Sequence, residues 1–223
     1  ISSVPTKMVY ESEQNGDRVL VKCWPQLKFD PKYLARNLRL LAFLQKARSL
    51  RQSGFNAAPE VLDFGLNTFG LMLVTRWTEG QTLTEWLSAS PDGRQRALVA
   101  HALLNAVRRL HILGLSHGDV KADNVVVPQT LEDELPRVVL VDIPDLSADG
   151  DDGITVGTVP QALESASPLH RDASAVCALV LTLLPEEFAA MVPTATTHVC
   201  TTAGPVIAKT LSAAELPVLF DLT

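Results

Sequence analysis

The chain has 223 residues, 47% apolar and 20% charged, and its 19 Lys and Arg against 25 Asp and Glu give a formal net charge of −6. That balance belongs to a globular protein with room for one sizeable domain or two small lobes sharing a cleft. It argues against a dedicated nucleic-acid binder, which would show a basic face, and no apolar run approaches the ~20 residues of a membrane span.

The first residues, Ile1-Ser2-Ser3-Val4-Pro5, lack the basic and apolar regions of a secretory signal. A first residue other than Met points to processing or to an upstream piece. Residues 7–24 read as a hairpin. Lys7-Met8-Val9-Tyr10 and Arg18-Val19-Leu20-Val21-Lys22-Cys23-Trp24 are strand-like, with Asn15-Gly16 as the turn. Asp30-Pro31 is expected to open a helix as N-cap and first helical residue. Its apolar stripe is expected at Leu34, Leu38, Leu41 and Leu44. Arg36, Arg39, Lys46, Arg48 and Arg51 are expected on its wet or partner-facing side. Ser53-Gly54 ends it.

Glu60–Phe64 and Leu71–Trp77 are the next strands, with Asn67 and Gly70 between them. Arg76–Gly80 reads as a hinge, after which helix dominates. Thr82–Leu87 is a short helix. Pro91-Asp92-Gly93 precedes a long one, striped by Leu98, Leu103, Val107, Leu110 and Leu113 and stopped by Gly114. Val125–Val127 and Val138–Val141 are short buried strands, Asp145–Gly157 is a polar loop, and Ala173–Leu184 is an apolar helix. The tail after Leu184 has weak periodicity.

Cys23, Cys177 and Cys200 are odd in number and widely spaced, without C-x-x-C. They read as thiols of a reducing, cytoplasmic setting. The five histidines include no H-E-x-x-H, so a structural zinc is not expected.

The chemistry concentrates in Leu115–Val127. Asp119, Lys121 and Asn124 stand at i, i+2 and i+5 between a long helix and a buried strand. Beyond a polar loop, Val139-Leu140-Val141-Asp142 ends another apolar strand in a carboxylate. Phosphoryl transfer calls for this set: a carboxylate for the attacking hydroxyl, a lysine for the transferred charge, and a second carboxylate with a carboxamide for magnesium.

His117-Gly118-Asp119-Val120-Lys121-Ala122-Asp123-Asn124 resembles the H-R-D-x-K-x-x-N loop of the protein kinase superfamily. Val19-Leu20-Val21-Lys22 is similar to its V-A-I-K strand. Leu71–Gly80 resembles the strand leading through the gatekeeper into the hinge. Asp142-Ile143-Pro144 stands where D-F-G belongs, and Gly157-Thr158-Val159-Pro160-Gln161-Ala162-Leu163-Glu164 resembles the end of an activation segment. His170-Arg171-Asp172 resembles the helix start whose Asp braces the catalytic loop. The pieces occur in the family's order over roughly Lys7–Leu184.

The resemblance implies a bilobal α+β kinase-like fold. Residues 1–78 would form a mainly-β lobe in which the family's first strand and glycine loop have no counterpart before Lys22. Residues 79–223 would form a mainly-α lobe, truncated or divergent after about 184. It implies Asp119 as catalytic base and Lys121 as the phosphate-stabilising lysine, with Asn124 and Asp142 as magnesium ligands. Lys22 would contact the α- and β-phosphates of ATP. Thr75 would be the gatekeeper, the backbone of Arg76, Trp77 and Thr78 would pair with adenine, and Leu20 and Val126 would sandwich the ring. Leu41, Leu62, His117 and Ile143 would stack between helix and catalytic loop.

Several positions depart from the family pattern. No acidic residue occurs from Pro31 to Gly54 to pair with Lys22. Asn37 stands four residues before Leu41, and Asp142 is the available substitute partner. Leu20 replaces a small residue over the adenine. Pro144, with its fixed φ, replaces a glycine. Gly118 removes the arginine that answers activation-loop phosphorylation. The expectation is a magnesium-dependent Ser/Thr-type protein kinase with ATP and a protein substrate or partner domain. The alternatives are a pseudokinase scaffold within a larger protein, and a small-molecule kinase suggested by His117-Gly118-Asp119.

Overall fold

A computed structural model describes residues 7–25, 27–129, 136–143 and 167–184. The expected hairpin forms from β1 (Met8–Gln14) and β2 (Asp17–Trp24). Asn15 and Gly16 both have positive φ, 55° and 85°, which a two-residue turn matching the twist of the strands requires. The turn fixes the register: Gln14 faces Asp17, Val9 faces Lys22 and Met8 faces Cys23. β3 (Val61–Asn67) and β4 (Gly70–Arg76) complete an antiparallel sheet in the order β1-β2-β4-β3.

Helix α1 (Leu34–Ser53) packs beneath this sheet and ends, as expected, at Gly54 in the left-handed region. Its start and its buried face both differ from the sequence expectation. Asp30 does not cap it: the Asp30 carboxylate accepts from the Lys32 amide at 3.0 Å, and Tyr33 is the N-cap. The Asn37 side chain instead clasps the entering loop. Its Nδ2 donates to the Asp30 carbonyl at 2.7 Å, and its Oδ1 accepts from the Asp30 amide at 3.0 Å.

The buried stripe is Asn37, Leu40, Phe43, Ala47 and Leu50, whereas Leu34, Leu38 and Leu41 are exposed. Both runs keep three-to-four spacing, so period alone cannot choose between them. Tertiary packing does choose: Phe43 meets the fully buried Trp24 edge-on, ring centroids 5.3 Å apart.

The second lobe is mainly helical. α2 (Leu83–Ser88) and α3 (Gly93–Ile112) each begin with a capping box, Thr82 with Glu85 and Asp92 with Gln95. α3 buries Leu103, Val107 and Leu110, as the periodicity predicts, but Val99 is buried where Leu98 is expected, Leu98 is only half-buried, and Leu113 lies past the helix end and is exposed. β5 (Gln81–Thr82), β6 (Val125–Val127) and β7 (Val139–Leu140) form a small sheet. α4 (Pro168–Leu183) packs on α3. It starts five residues earlier than expected because Ser167 caps it and Pro168 takes the first turn. The activation-segment pattern at 157–164, the Asp145–Gly157 loop, Pro144 and the tail lie outside the described residues.

Candidate active site

Between the sheet and the helical lobe lies a cleft of about 370 Å³. Leu20 and Lys22 project into it from β2, and Thr75 and Arg76 from β4. Trp77 and Thr78 line it from the hinge, Val126 from β6, and Asp142 from the segment after β7. Eight residues expected to hold nucleotide or metal therefore share one cavity, and Ile143, expected in the apolar stack, lines it beside Asp142. Asp119, Lys121 and Asn124 are not in that lining. They stand on the adjoining loop, joined to it where the Val141 amide donates to the Asn124 carbonyl at 3.0 Å.

That loop is held from below. Asp172, fully inside α4, accepts from the His117 amide at 2.5 Å, the Gly118 amide at 2.8 Å, and His111 Nε2 at 3.2 Å. Burial pushes its carboxyl up, but these donors hold it below the ordinary carboxylate value. Gly118 has φ 93°, where a side chain would be strained. The residue that departs from the family's arginine is therefore one the backbone geometry favours. His117 is buried and its pKa is lowered, chiefly by that burial. Its Nδ1 accepts from the Asp119 amide at 3.3 Å.

The Asp119 carboxylate is partly tethered. Its Oδ2 accepts from Lys121 Nζ at 2.6 Å and from Asn124 Nδ2 at 3.0 Å, and Asn124 Nδ2 also reaches the Asp119 carbonyl at 2.9 Å. Oδ1 is buried without a hydrogen-bond partner among the described residues. Such an oxygen is costly to bury alone and is ready to accept a proton donor.

Lys22 is buried and ion-paired with Asp142 Oδ1, the substitute partner available when the helix carries no acid. Lys7 Nζ, just before β1, lies 3.8 Å from Asp142 Oδ2. Burial pushes the Asp142 carboxyl up, yet Lys22 and then Lys7 bring it below its ordinary value. Asp142 also has φ 65°, an uncommon conformation that surrounding contacts must hold in place.

Two expectations need correction. Leu41 cannot belong to a stack against the catalytic loop, because it is exposed on the far side of α1. Lys46, expected on the wet face, instead turns inward and donates to the Ile143 carbonyl at 3.4 Å. Burial lowers its pKa, opposed by Asp172. At the hinge, the Arg76 and Trp77 amides already bond to the Glu60 and Arg18 carbonyls, both at 2.9 Å. Arg18 secures this corner by lying over the Trp77 ring at 4.7 Å and pairing with Glu79 at 2.6 Å. Sequence reasoning missed Lys7 and the inward turn of Lys46. The hairpin register held a signal for the first; nothing local marked the second.

A family model described as the lipopolysaccharide kinase (Kdo/WaaP) family matches residues 36–145, just under half of the chain. Among solved structures, the kinase domain of Mycobacterium tuberculosis PknI is similar at 21% identity and TM-score 0.56, over 79% of this chain and 68% of that one. A double mutant of that domain gives 18% identity and TM-score 0.58, over 79% of this chain and 66% of that one. Residues 1–466 of Rad53 in complex with AMP-PNP give 19% and 0.59, over 82% of this chain and 47% of that one. The chain thus spans about two thirds of the PknI domain and less than half of the Rad53 piece. The fold is the bilobal α+β fold of protein kinases, and the resemblance to that superfamily is borne out.

Proposed function

We propose that this chain, which has the fold of the protein kinase superfamily, is a phosphotransferase that moves the γ-phosphoryl group of ATP to a Ser or Thr hydroxyl of a protein, with magnesium. The observation that carries the reading is the Asp119 carboxylate, one oxygen tethered by Lys121 and Asn124 and the other buried without a partner among the described residues. This is the arrangement of a base awaiting a hydroxyl.

In this reading adenine enters between Leu20 and Val126 beneath Thr75. It pairs with the Arg76 carbonyl and the Thr78 amide, since the Arg76 and Trp77 amides are engaged elsewhere. Lys22 steadies the α- and β-phosphates. Magnesium suits the hard oxygen donors of Asn124 and Asp142, which the Val141–Asn124 backbone bond keeps adjacent. When bound, it supplies positive charge along the triphosphate. Asp119 accepts the hydroxyl proton as the hydroxyl oxygen bonds to the γ-phosphorus and the bond to the β–γ bridging oxygen breaks. Lys121 bears on the charge of the group in transit.

The lobes divide at Thr78, giving units 1–78 and 79–223. Among the described residues no helix is long and apolar enough to cross a membrane, and dependence on ATP suits the cytoplasm.

A second acceptor class has its own support: the matched family is named for lipopolysaccharide, which favours a sugar hydroxyl. The Lys121–Asp119 contact, two residues along the loop as in Ser/Thr-type kinases, supports the protein acceptor. The test is transfer from γ-labelled ATP to a mixed Ser/Thr peptide library and, separately, to purified lipopolysaccharide. Label on peptide that Asp119→Asn abolishes supports the first reading. Label on lipopolysaccharide alone moves the acceptor to the second. No label on either leaves a pseudokinase scaffold.

A further inference from the structure

We infer that Lys7 is a second cationic ligand for the phosphates of the bound nucleotide, standing opposite Lys22 across Asp142. The inference rests on the nucleotide site proposed above and adds a residue to it.

The placement follows from the hairpin. Val9 faces Lys22 and Met8 faces Cys23, so one further step sets Lys7 beside Trp24. Residues opposite each other in an antiparallel pair project from the same face, and residues two apart share a face. Lys7 therefore lies on the face that carries Lys22 and the fully buried Trp24, at the end of the strand where that face opens to solvent. The ion pair agrees: Lys7 Nζ is 3.8 Å from Asp142 Oδ2 while Lys22 Nζ holds Oδ1. Two ammonium groups from the same hairpin thus converge on one carboxylate of the cleft.

The two contacts differ in kind. Lys22 is almost wholly buried, whereas the Lys7 side chain is 35% exposed and its separation from Asp142 exceeds a hydrogen bond. A loose, partly solvated ion pair exchanges partners at little cost. An arriving phosphate offers that ammonium a stronger, charge-assisted acceptor, and the flexible lysine stem allows the swing. Residues 1–21 contain a single glycine, Gly16, at the far turn. Without a run of glycines, close backbone approach to a phosphate is not favoured in this stretch, and Lys7 is the cationic side chain it places beside Asp142.

The test is calorimetric titration of the whole chain with ATP, ADP and adenosine, each with magnesium, for the wild type, Lys7→Met and Lys7→Arg. Lys7→Met should weaken ATP and ADP binding about tenfold, as expected for loss of one charge-assisted contact, and leave adenosine unchanged. Lys7→Arg should keep most of the phosphate-dependent affinity. Equal ATP affinity in wild type and Lys7→Met overturns the inference while the nucleotide site stands. An equal loss for adenosine also overturns it, because the residue would then shape the pocket rather than hold phosphate. A wild type that binds none of the three removes the nucleotide site itself, and this inference with it.

Discussion

Lys22 and Asp142, 120 residues apart in the chain, are ion-paired across the cleft, and helix α1 takes no part in the pair. The lysine that would order the phosphates is thus held by the same carboxylate that would hold the metal. Asn37, at the helix position expected nearest to Lys22, is committed to the Asp30 backbone instead.

Asn37→Ala should accordingly cost stability without costing nucleotide affinity. It strips partners from an amide and a carbonyl in a part-buried loop, for a loss of about 1–3 kcal/mol. Urea denaturation beside an ATP titration measures both. A collapse of affinity at unchanged stability would mean that Asn37 acts on the cleft.

The face of α1 can be tested by contrast. Leu40→Ala removes a fully buried side chain and should cost about 2–5 kcal/mol. Leu38→Ala changes an exposed one and should stay within about 0.5 kcal/mol. Comparable losses in the two variants would reverse the assignment.

These residues mark where the sequence was legible. The strand-like runs, the Asn15-Gly16 turn, the stop of α1 at Gly54, and the spacing of Asp119, Lys121 and Asn124 are local, and each is found where the sequence placed it. The Asp172 brace was legible through the family pattern. The buried side of α1 was not, because that helix carries apolar residues on two faces and only contact with Trp24 and its neighbours selects one. Lys46 was hidden for the same reason. Lys7 was within reach: counting back from Asn15-Gly16 places it next to Trp24 on the Lys22 face.

Acid should destabilise the protein in two stages. His117 is buried with a lowered pKa, so the unfolded chain binds its proton first and stability falls as pH drops below about 6.5. Asp172 and Asp142 have lowered carboxyl pKa values. Their contribution is complete above about 3.9 and is lost as pH falls through the depressed values. His117→Gln should flatten the first stage in a Tm–pH profile. Asp172→Asn should flatten part of the second and cost roughly 2–3 kcal/mol at pH 7, because it faces two backbone donors with an amide. Unchanged profiles in both variants would contradict the assignment.

The hinge offers a steric test. Gly80 has φ 142°, and a Cβ there would stand 2.6 Å from the Val127 carbonyl oxygen. Gly80→Ala should lower stability by roughly 1–3 kcal/mol and loosen the contact between β5 and β6, read by amide exchange at Val126 and Val127. Wild-type exchange rates there would show that the hinge tolerates a side chain.

The central question is whether the cleft takes a magnesium-bound nucleotide through Asp142. A thermal-shift titration with ATP and magnesium, wild type beside Asp142→Ala, decides it. At a concentration 100 times the Kd, the wild type should gain about 2.7 kcal/mol of apparent stability, and the variant should gain none. A wild type that does not shift, or a variant that shifts equally, would contradict it.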